Sequence, residues 1–269
     1  MNSSFLKRVR YFLSLTLMVY QLSGHAITLE EEDQQRIADL VLANHIIADQ
    51  GVVDGFGHIS VRSARNPNHY FMSRSRAPAS VTLKDIIEYD LDDHPINTNG
   101  MTPYGERFIH SEIYKVRPEV QSIIHSHSPA VIPFSVSDVP LKPLSNTAGF
   151  LLRDVPVFEI RDTAGPATDM LVKNKELGSA LAKKLADANV VLMRGHGMAV
   201  VGKSIRIAVS HAVYTERNAQ IQTQALLMGG KITYYTEQEA LAAGNFIDGQ
   251  VNRPWEIWAE QASAHELKH

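Results

Sequence analysis

The residues of this sequence best suited to chemistry are three histidines and one glutamate. His125 and His127 stand two positions apart in a run of β-forming residues, 121–128. Side chains two apart on a strand point the same way, so both imidazoles can reach one metal ion. Two half-exposed strand histidines that bind nothing are the alternative interpretation of this pair. A catalytic metal site needs a third protein ligand.

His196 is the candidate for that third ligand. A second β-forming run, 190–193, ends at Arg-Gly-His-Gly-Met, and glycines on both sides of His196 allow a tight backbone there. Glu106 falls in the first turn of a predicted helix, 106–116, where the helix N-terminus stabilises a carboxylate. An ordinary helix-start role is the alternative for Glu106. Imidazole ligands suit zinc and the other borderline divalent metals.

The elements that must position these residues alternate between helical and extended patterns. Thr28 followed by Glu31 resembles a capping box, and Trp255 with Trp258 indicates a packing helix in the tail. The periodicity predicts helices over 29–49, 106–116, 177–187 and 205–228. It predicts strands over 58–61, 70–72, 121–128, 155–160 and 190–193.

Composition narrows the class of protein. A chain of 269 residues can bury one substantial core and fits a single α/β domain. The net charge of −3, without basic blocks, argues against a nucleic-acid partner. The absence of cysteine excludes thiolate catalysis, cysteine-ligated zinc and disulfides.

The N-terminal segment has the order of a signal peptide. Basic residues within 7–10 precede an apolar run, 11–22, and the small residues Gly24 and Ala26 stand at positions −3 and −1 of a candidate cleavage site after Ala26. The apolar run is too short to span a bilayer comfortably. The sequence therefore predicts a signal peptide, 1–26, and a mature domain, 27–269, that is periplasmic or secreted and free of the membrane. A cytoplasmic protein is the alternative if this segment is not a signal peptide.

Taken in order, these pieces resemble the class II aldolase/adducin family over about residues 29–228. The resemblance rests on five motifs: G-F-G-H-I-S-V at 55–61, E-R-F-I-H at 106–110, R-P-E-V at 117–120, H-S-H at 125–127 and R-G-H-G at 194–197. It implies an α/β fold, namely a three-layer α/β/α single domain with a central, largely antiparallel mixed sheet. It also implies a homo-oligomer, a tetramer as in the family.

The same resemblance assigns the roles at the site. His125, His127 and His196 would hold one divalent metal ion per subunit, with zinc favoured and manganese, iron or cobalt also suitable. Glu106 would be the acid/base carboxylate beside the metal, able to ligate it when no substrate is bound.

Three departures from the family's sugar-phosphate enzymes concern the substrate. His58 stands where those enzymes usually have an asparagine, S-R-S-R at 73–76 replaces a Thr-Pro-Thr-Gly turn, and Tyr104 with Gly105 replaces a Ser-Ser pair. A phosphate cradle needs small hydroxyl residues and free backbone N–H groups. Arginine instead matches planar carboxylates.

Four residues are therefore predicted to bind substrate: His58, Ser75, Arg76 and Tyr104. The family resemblance adds Tyr214, because in family tetramers the site forms between neighbouring subunits and Tyr214 would act from one of them. A solvated charged loop is the alternative for the arginines, and a core or interface position is the alternative for Tyr214.

The pattern most resembles the decarboxylase branch of the family, which acts on dihydroxyphthalates and carboxylated ring-cleavage products. The motifs are SRSRAP at 73–78, HSHSPAVIPF at 125–134 and AVYTERNAQIQ at 212–222. The resemblance implies a lyase of aromatic compound catabolism that decarboxylates a small-molecule carboxylic acid through a metal-stabilised enolate. An aldolase or epimerase of a sugar or sugar phosphate, and an adducin-like binding module, are the alternatives.

Overall fold

The computed structural model describes residues 28–266. The predicted signal peptide, 1–26, lies outside the described residues. Within them, no helix is both long enough and apolar enough to cross a membrane.

One seven-stranded sheet forms the centre of the domain. Its strands are β1 (His58–Arg62), β2 (His69–Ser73), β3 (Ile86–Asp90), β4 (Ser122–Ser126), β5 (Val157–Phe158), β6 (Val190–Met193) and β7 (Gly197–Gly202). They lie in the order β3-β2-β1-β4-β7-β6-β5. Every neighbouring pair is antiparallel except β5 and β6, which run parallel. The predicted largely antiparallel mixed sheet is confirmed.

Both faces of the sheet are covered, as alternation along β6 shows. Val190 and Leu192 pack into one apolar cluster, whereas Val191 and Met193 pack into the other. Successive side chains on a strand point to opposite faces, so two clusters require helices on both sides. This arrangement explains why β6 is apolar throughout rather than alternating with polar residues.

The helices supply the two outer layers. They are α1 (Leu29–Asp49), α2 (Phe108–Val116), α3 (Ile132–Val136), α4 (Arg161–Ala164), α5 (Lys175–Leu185), α6 (Ile205–Leu227), α7 (Glu237–Asp248) and α8 (Asn252–Glu266). Helices α1, α6 and α8 contribute to the first cluster, and both tryptophans of α8 are buried in it. Helices α2 and α5 contribute to the second. The predicted three-layer α/β/α fold is confirmed.

Two boundaries differ from the prediction in ways that affect the site. Helix α2 begins at Phe108, so Glu106 lies in the turn before it, where i→i+3 bonds such as Ile109 N–H to the Glu106 carbonyl replace helical ones. Strand β4 ends at Ser126, because its pairing with β7 stops at Ser126 opposite Met198. His127 therefore lies just past the strand.

Other boundaries shift without consequence for the site. β5 keeps only two of the six residues predicted for 155–160, because only those two pair with β6. Asn174 caps α5, which starts two residues earlier than predicted and stops before Ala186, whose φ is +50°. By contrast, α1 spans 29–49 as predicted, with the Thr28 and Glu31 capping box in place.

Candidate metal centre

The fold brings the four predicted residues together at one end of the central strands. One ligand atom from each of Glu106, His125, His127 and His196 lies within 4.8 Å of all the others. Each comes from a different place: the turn before α2, the end of β4, the residue past β4, and the β6–β7 turn. Residues distant in sequence thus converge because β4 and β7 are neighbours in the sheet.

His125 has the hydrogen bonding of a metal ligand. Its Nδ1 lies 3.1 Å from the carbonyl oxygen of Met198, which can only accept, so Nδ1 carries the proton. The neutral ring then presents a bare Nε2, which is buried and has no hydrogen-bond partner among the described residues. Burial and the neighbouring His127 lower the pKa of His125 to about 3, which keeps the ring neutral. A second hydrogen bond that fixes the tautomer is typical of metal-binding histidines.

The tight turn between β6 and β7 places His196 beside His127. The Nε2 atoms of these two histidines are 2.9 Å apart. Gly195 has a φ of +62° and Gly197 a φ of +153°, and a Cβ at Gly197 would lie 1.9 Å from the Ser126 carbonyl oxygen. Burial, followed by the nearby His125, lowers the pKa of His196 to about 4. The predicted role of the two glycines is confirmed.

Glu106 uses its two carboxylate oxygens differently. Oε1 accepts a hydrogen bond from Val172 N–H at 2.9 Å, which holds the side chain. Oε2 lies 3.7 Å from Nε2 of His125 and 3.7 Å from Nε2 of His196. One oxygen is therefore anchored while the other faces the imidazoles, as either a metal ligand or a proton carrier requires.

This donor set fits a divalent cation. The bare, buried Nε2 of His125 lacks a partner that a metal would supply, and two further imidazoles and a carboxylate lie within the same 4.8 Å. Nitrogen and oxygen ligands of this kind suit zinc, manganese, iron and cobalt, and the geometry does not choose among them.

His58 lies beside the centre rather than in it. Its ring centroid is 5.0 Å from that of His125, opposite it across the β1–β4 pair, and 4.6 Å from that of Tyr104. Burial first, and then the electrostatic interaction with neighbouring histidines, His110 foremost, hold the pKa of His58 well below its usual range. His58 is therefore a neutral group whose buried Nε2 has no hydrogen-bond partner among the described residues.

Behind His58 runs a chain of buried hydrogen bonds that the sequence analysis missed. His58 Nδ1 is 2.7 Å from His110 Nε2, His110 Nδ1 is 2.7 Å from Ser60 Oγ, and Ser60 Oγ is 2.9 Å from the Tyr114 hydroxyl. These contacts fix the plane of the His58 ring. Two spacings could have revealed them: Ser60 lies two residues after His58 on one strand, and His110 lies four residues after Glu106.

Asp85, also missed, holds the two arginines that follow β2. Its Oδ1 lies 2.6 Å from Arg74 Nε and 3.4 Å from Arg76 Nη1, and its Oδ2 accepts from the Thr82 hydroxyl and N–H. Burial alone would raise the pKa of Asp85, but the bonds from Thr82 and Arg74 outweigh it and lower the pKa to about 2. Arg76 Nε is buried without a hydrogen-bond partner in the described structure. The arginines are thus partly ordered by an ion pair, which a freely solvated loop would lack.

Tyr104 links this arginine loop to His58. Its hydroxyl donates a hydrogen bond to the Arg76 carbonyl oxygen while its ring packs against His58. Ser75 between the arginines is exposed, and its N–H donates to the Thr102 carbonyl at 2.9 Å. The loop therefore lies one side chain away from the His58 edge of the centre.

Tyr214 is placed elsewhere within this chain. It lies on α6 with its ring 5.7 Å from that of Trp258, and the Arg217 guanidinium stacks over it at 5.5 Å. These contacts place it against α8, at the edge of the first apolar cluster. A role for Tyr214 at a neighbouring subunit's site stays a prediction.

Sequence comparison now identifies the family. The profile of the Class II Aldolase and Adducin N-terminal domain matches residues 38–223. The chain belongs to the class II aldolase/adducin family. The match includes all four residues of the centre as well as His58, Asp85 and the arginine loop.

Two curated relatives of this family member are decarboxylases. The chain is 36% identical over 245 residues to decarboxylase tropJ of Talaromyces stipitatus, which covers 83% of this chain and 92% of that protein. It is 27% identical over 205 residues to the 3,4-dihydroxyphthalate decarboxylase of Arthrobacter keyseri, covering 72% of this chain and 79% of that protein.

Among solved structures, the L-fuculose 1-phosphate aldolase from Glaciozyma antarctica PI12 superposes with a TM-score of 0.73. The sequence identity is 23%, and the alignment covers 89% of this chain and 94% of that one. This likeness establishes the fold. Together, the relatives and the ligand cluster support a catalytic protein of decarboxylase or aldolase type.

Proposed function

We propose that this protein is a metal-dependent decarboxylase of a hydroxylated aromatic or ring-cleavage-derived carboxylic acid. The observation that carries the proposal is the Asp85-held arginine loop, joined through Tyr104 to His58 beside the metal centre. Two ordered guanidinium groups suit a planar carboxylate better than a phosphate cradle of small hydroxyl residues would. The two decarboxylases among the relatives support the same choice.

The histidines would hold the metal, and His58 and the loop would orient the acid. A divalent ion in the centre would supply Lewis acidity that stabilises the electron pair left behind when CO₂ departs. His58, neutral and held by His110, offers Nε2 to a substrate oxygen. Arg76 would hold a carboxylate through the donors that Asp85 leaves free.

Glu106 would manage the proton. Its anchored Oε1 leaves Oε2 free to take a proton from a substrate hydroxyl and return it to carbon. The C–C bond to the carboxylate breaks, its electron pair stays on the organic fragment, CO₂ leaves, and the proton from Glu106 forms the new C–H bond. The hydroxyl recovers its proton from solvent, so the reaction balances as one carboxylate and one proton giving CO₂ and the shortened product.

We further propose zinc as the metal, a homotetramer as the assembly, aromatic catabolism as the setting, and export of the mature chain, 27–269. The imidazole-rich centre favours zinc. The family resemblance favours the tetramer, and the basic-apolar-small order of residues 1–26 favours export. The complete set of His125, His127, His196 and Glu106 counts against a non-catalytic, adducin-like module.

The experiment is substitution of Arg76. Losing a charge-assisted hydrogen bond costs roughly 1.5–3 kcal/mol, so Arg76→Ala should slow turnover of a carboxylated substrate by about one to two decades. Arg76→Lys should recover only part of the rate, because an ammonium cannot make the forked contact. Arg161→Ala removes an exposed arginine paired with Glu159 and serves as the control with unchanged turnover.

The aldolase alternative predicts a different result. If the wild-type protein cleaves a sugar phosphate efficiently and Arg76→Ala leaves that rate unchanged, the protein is an aldolase and the decarboxylase proposal is wrong.

A further inference from the structure

His127 needs support that the sheet does not give it. Strand pairing with β7 stops one residue earlier, at Ser126. The His127 ring stacks at 5.7 Å on Phe56, whose side chain is 67% exposed and so provides little rigidity. Its other ring contacts are with His125 and His196, which belong to the same cluster. Support from outside the cluster therefore comes mainly through the His127 backbone.

A buried carboxylate on α6 holds the backbone just after His127. Glu216 is only 4% exposed. Its Oε2 accepts hydrogen bonds from the Ser128 hydroxyl and from Ala130 N–H, the latter at 3.1 Å, and its Oε1 accepts from Gln220 at 2.9 Å. A buried carboxylate is costly unless its oxygens are satisfied, so these contacts strongly favour one position of the segment from Ser128 to Ala130.

The other side of His127 meets β7. A Cβ built on Gly197 would lie 2.9 Å from the His127 Cα, so the two backbones are as close as glycine permits. His127 is thus fixed between Gly197 on one side and the Glu216 contacts on the other. Removing the Glu216 contacts would free the segment to move away from the sheet and take the imidazole with it.

We propose that Glu216 is a positioning residue of the metal centre, which sets metal affinity by fixing the loop that carries His127. The proposal rests on the metal site of the proposed function. Outer partners of metal ligands typically contribute 10–100-fold to metal affinity. Glu216 differs from the usual partner because it acts through backbone placement and does not touch the imidazole.

The same helix offers a matched control. Asn218 is fully buried, and its side chain binds the Lys142 carbonyl at 2.7 Å and Leu144 N–H at 2.9 Å. This contact also ties α6 to a loop, but residues 142–144 include none of the four ligands. Asn218→Ala therefore perturbs the same layer without disturbing His127.

The test compares zinc dissociation constants, measured by competition with a chromophoric chelator, for wild type, Glu216→Ala, Glu216→Gln and Asn218→Ala. We expect Glu216→Ala to weaken zinc binding by about 10–100-fold. Glu216→Gln should stay within about threefold, since its carbonyl oxygen can still accept from Ser128 and Ala130. Asn218→Ala should lower thermal stability while leaving zinc affinity unchanged. The visible spectrum of the cobalt-loaded protein should change only in Glu216→Ala.

Equal zinc affinity in wild type and Glu216→Ala, or an equal loss in Asn218→Ala, would overturn the proposal. If Glu216→Ala does not fold, Ser128→Ala is measured instead. We expect Ser128→Ala to weaken zinc binding by about threefold to tenfold, and an unchanged zinc affinity would count against the proposal. A wild-type protein that binds neither zinc nor cobalt would remove the proposed metal site itself, which distinguishes that failure from a failure of Glu216 alone.

Discussion

Replacing Asp85 by asparagine should reduce both stability and turnover, because one carboxylate orders Arg74 and Arg76. The pKa of Asp85 is lowered from 3.8 to about 2. At about 1.4 kcal/mol per pKa unit, this corresponds to roughly 2 kcal/mol of stabilisation that depends on the charge. The arginine side chains are 33% and 36% exposed, so solvent screening places the expected value between about 1 and 2 kcal/mol.

The direction of the pH dependence follows from the lowered pKa. The stabilisation from ionised Asp85 is fully present above its unfolded-state pKa of 3.8 and is lost as pH falls through its folded-state pKa of about 2. The assay is urea unfolding of wild type and Asp85→Asn from pH 7 down to the lowest pH at which both fold. The difference in free energy of unfolding between the two proteins should be constant above about pH 5 and should shrink below pH 4.

Turnover of the carboxylated substrate should fall in Asp85→Asn while metal content is unchanged, since Asp85 lies outside the ligand cluster. Asp187→Asn, which removes an exposed partner of Arg153, is the control with unchanged turnover and metal content. A stability difference that is absent, or that does not vary between pH 5 and pH 3, would refute the ion-pair argument.

Three further predictions concern the centre and the N-terminus. Wild type should hold about one divalent ion per subunit, and His125→Ala should lose both metal and activity while the fold is retained. Elemental analysis that finds full metal occupancy in a His125→Ala/His196→Ala double variant would contradict this. Gly197→Ala should lower both melting temperature and zinc affinity, because its Cβ would lie 1.9 Å from the Ser126 carbonyl oxygen; an unchanged melting curve would show that the backbones separate easily. Mass spectrometry of the native protein should find a mature N-terminus near Ile27, and intact Met1 on the soluble cytoplasmic protein would remove the export proposal.

The parts of the fold that follow from local patterns were predicted well. Helix α1 carries its own start signal at Thr28, and β6 ends where the glycines around His196 begin. The four residues of the candidate metal centre were also singled out from the sequence, since their types and motifs are visible without knowledge of the packing. The antiparallel pairing of β4 with β7 brings these residues into one site. This pairing joins residues about 70 positions apart, as in the bond from His125 to Met198, and local sequence patterns do not reveal it.

The residues missed by the sequence analysis are those whose role exists only through tertiary contacts. Asp85 appears in the sequence as an ordinary loop carboxylate, and nothing local indicates that it faces Arg74. Glu216 is one polar residue on a long amphipathic helix, and only the packing of α6 on the segment after β4 gives it Ser128 as a partner. Such buried polar groups depend on long-range geometry, which periodicity does not encode.

The central claim is that this chain removes CO₂ from a carboxylic acid in a metal-dependent way. The most direct measurement incubates the metal-loaded protein with a panel of hydroxylated aromatic acids and ring-cleavage acids and detects released CO₂. We predict CO₂ from at least one of these acids, loss of the activity on chelation, and recovery when zinc or another divalent metal is restored. Cleavage of a sugar phosphate by the same protein, with no CO₂ from any acid, would contradict it.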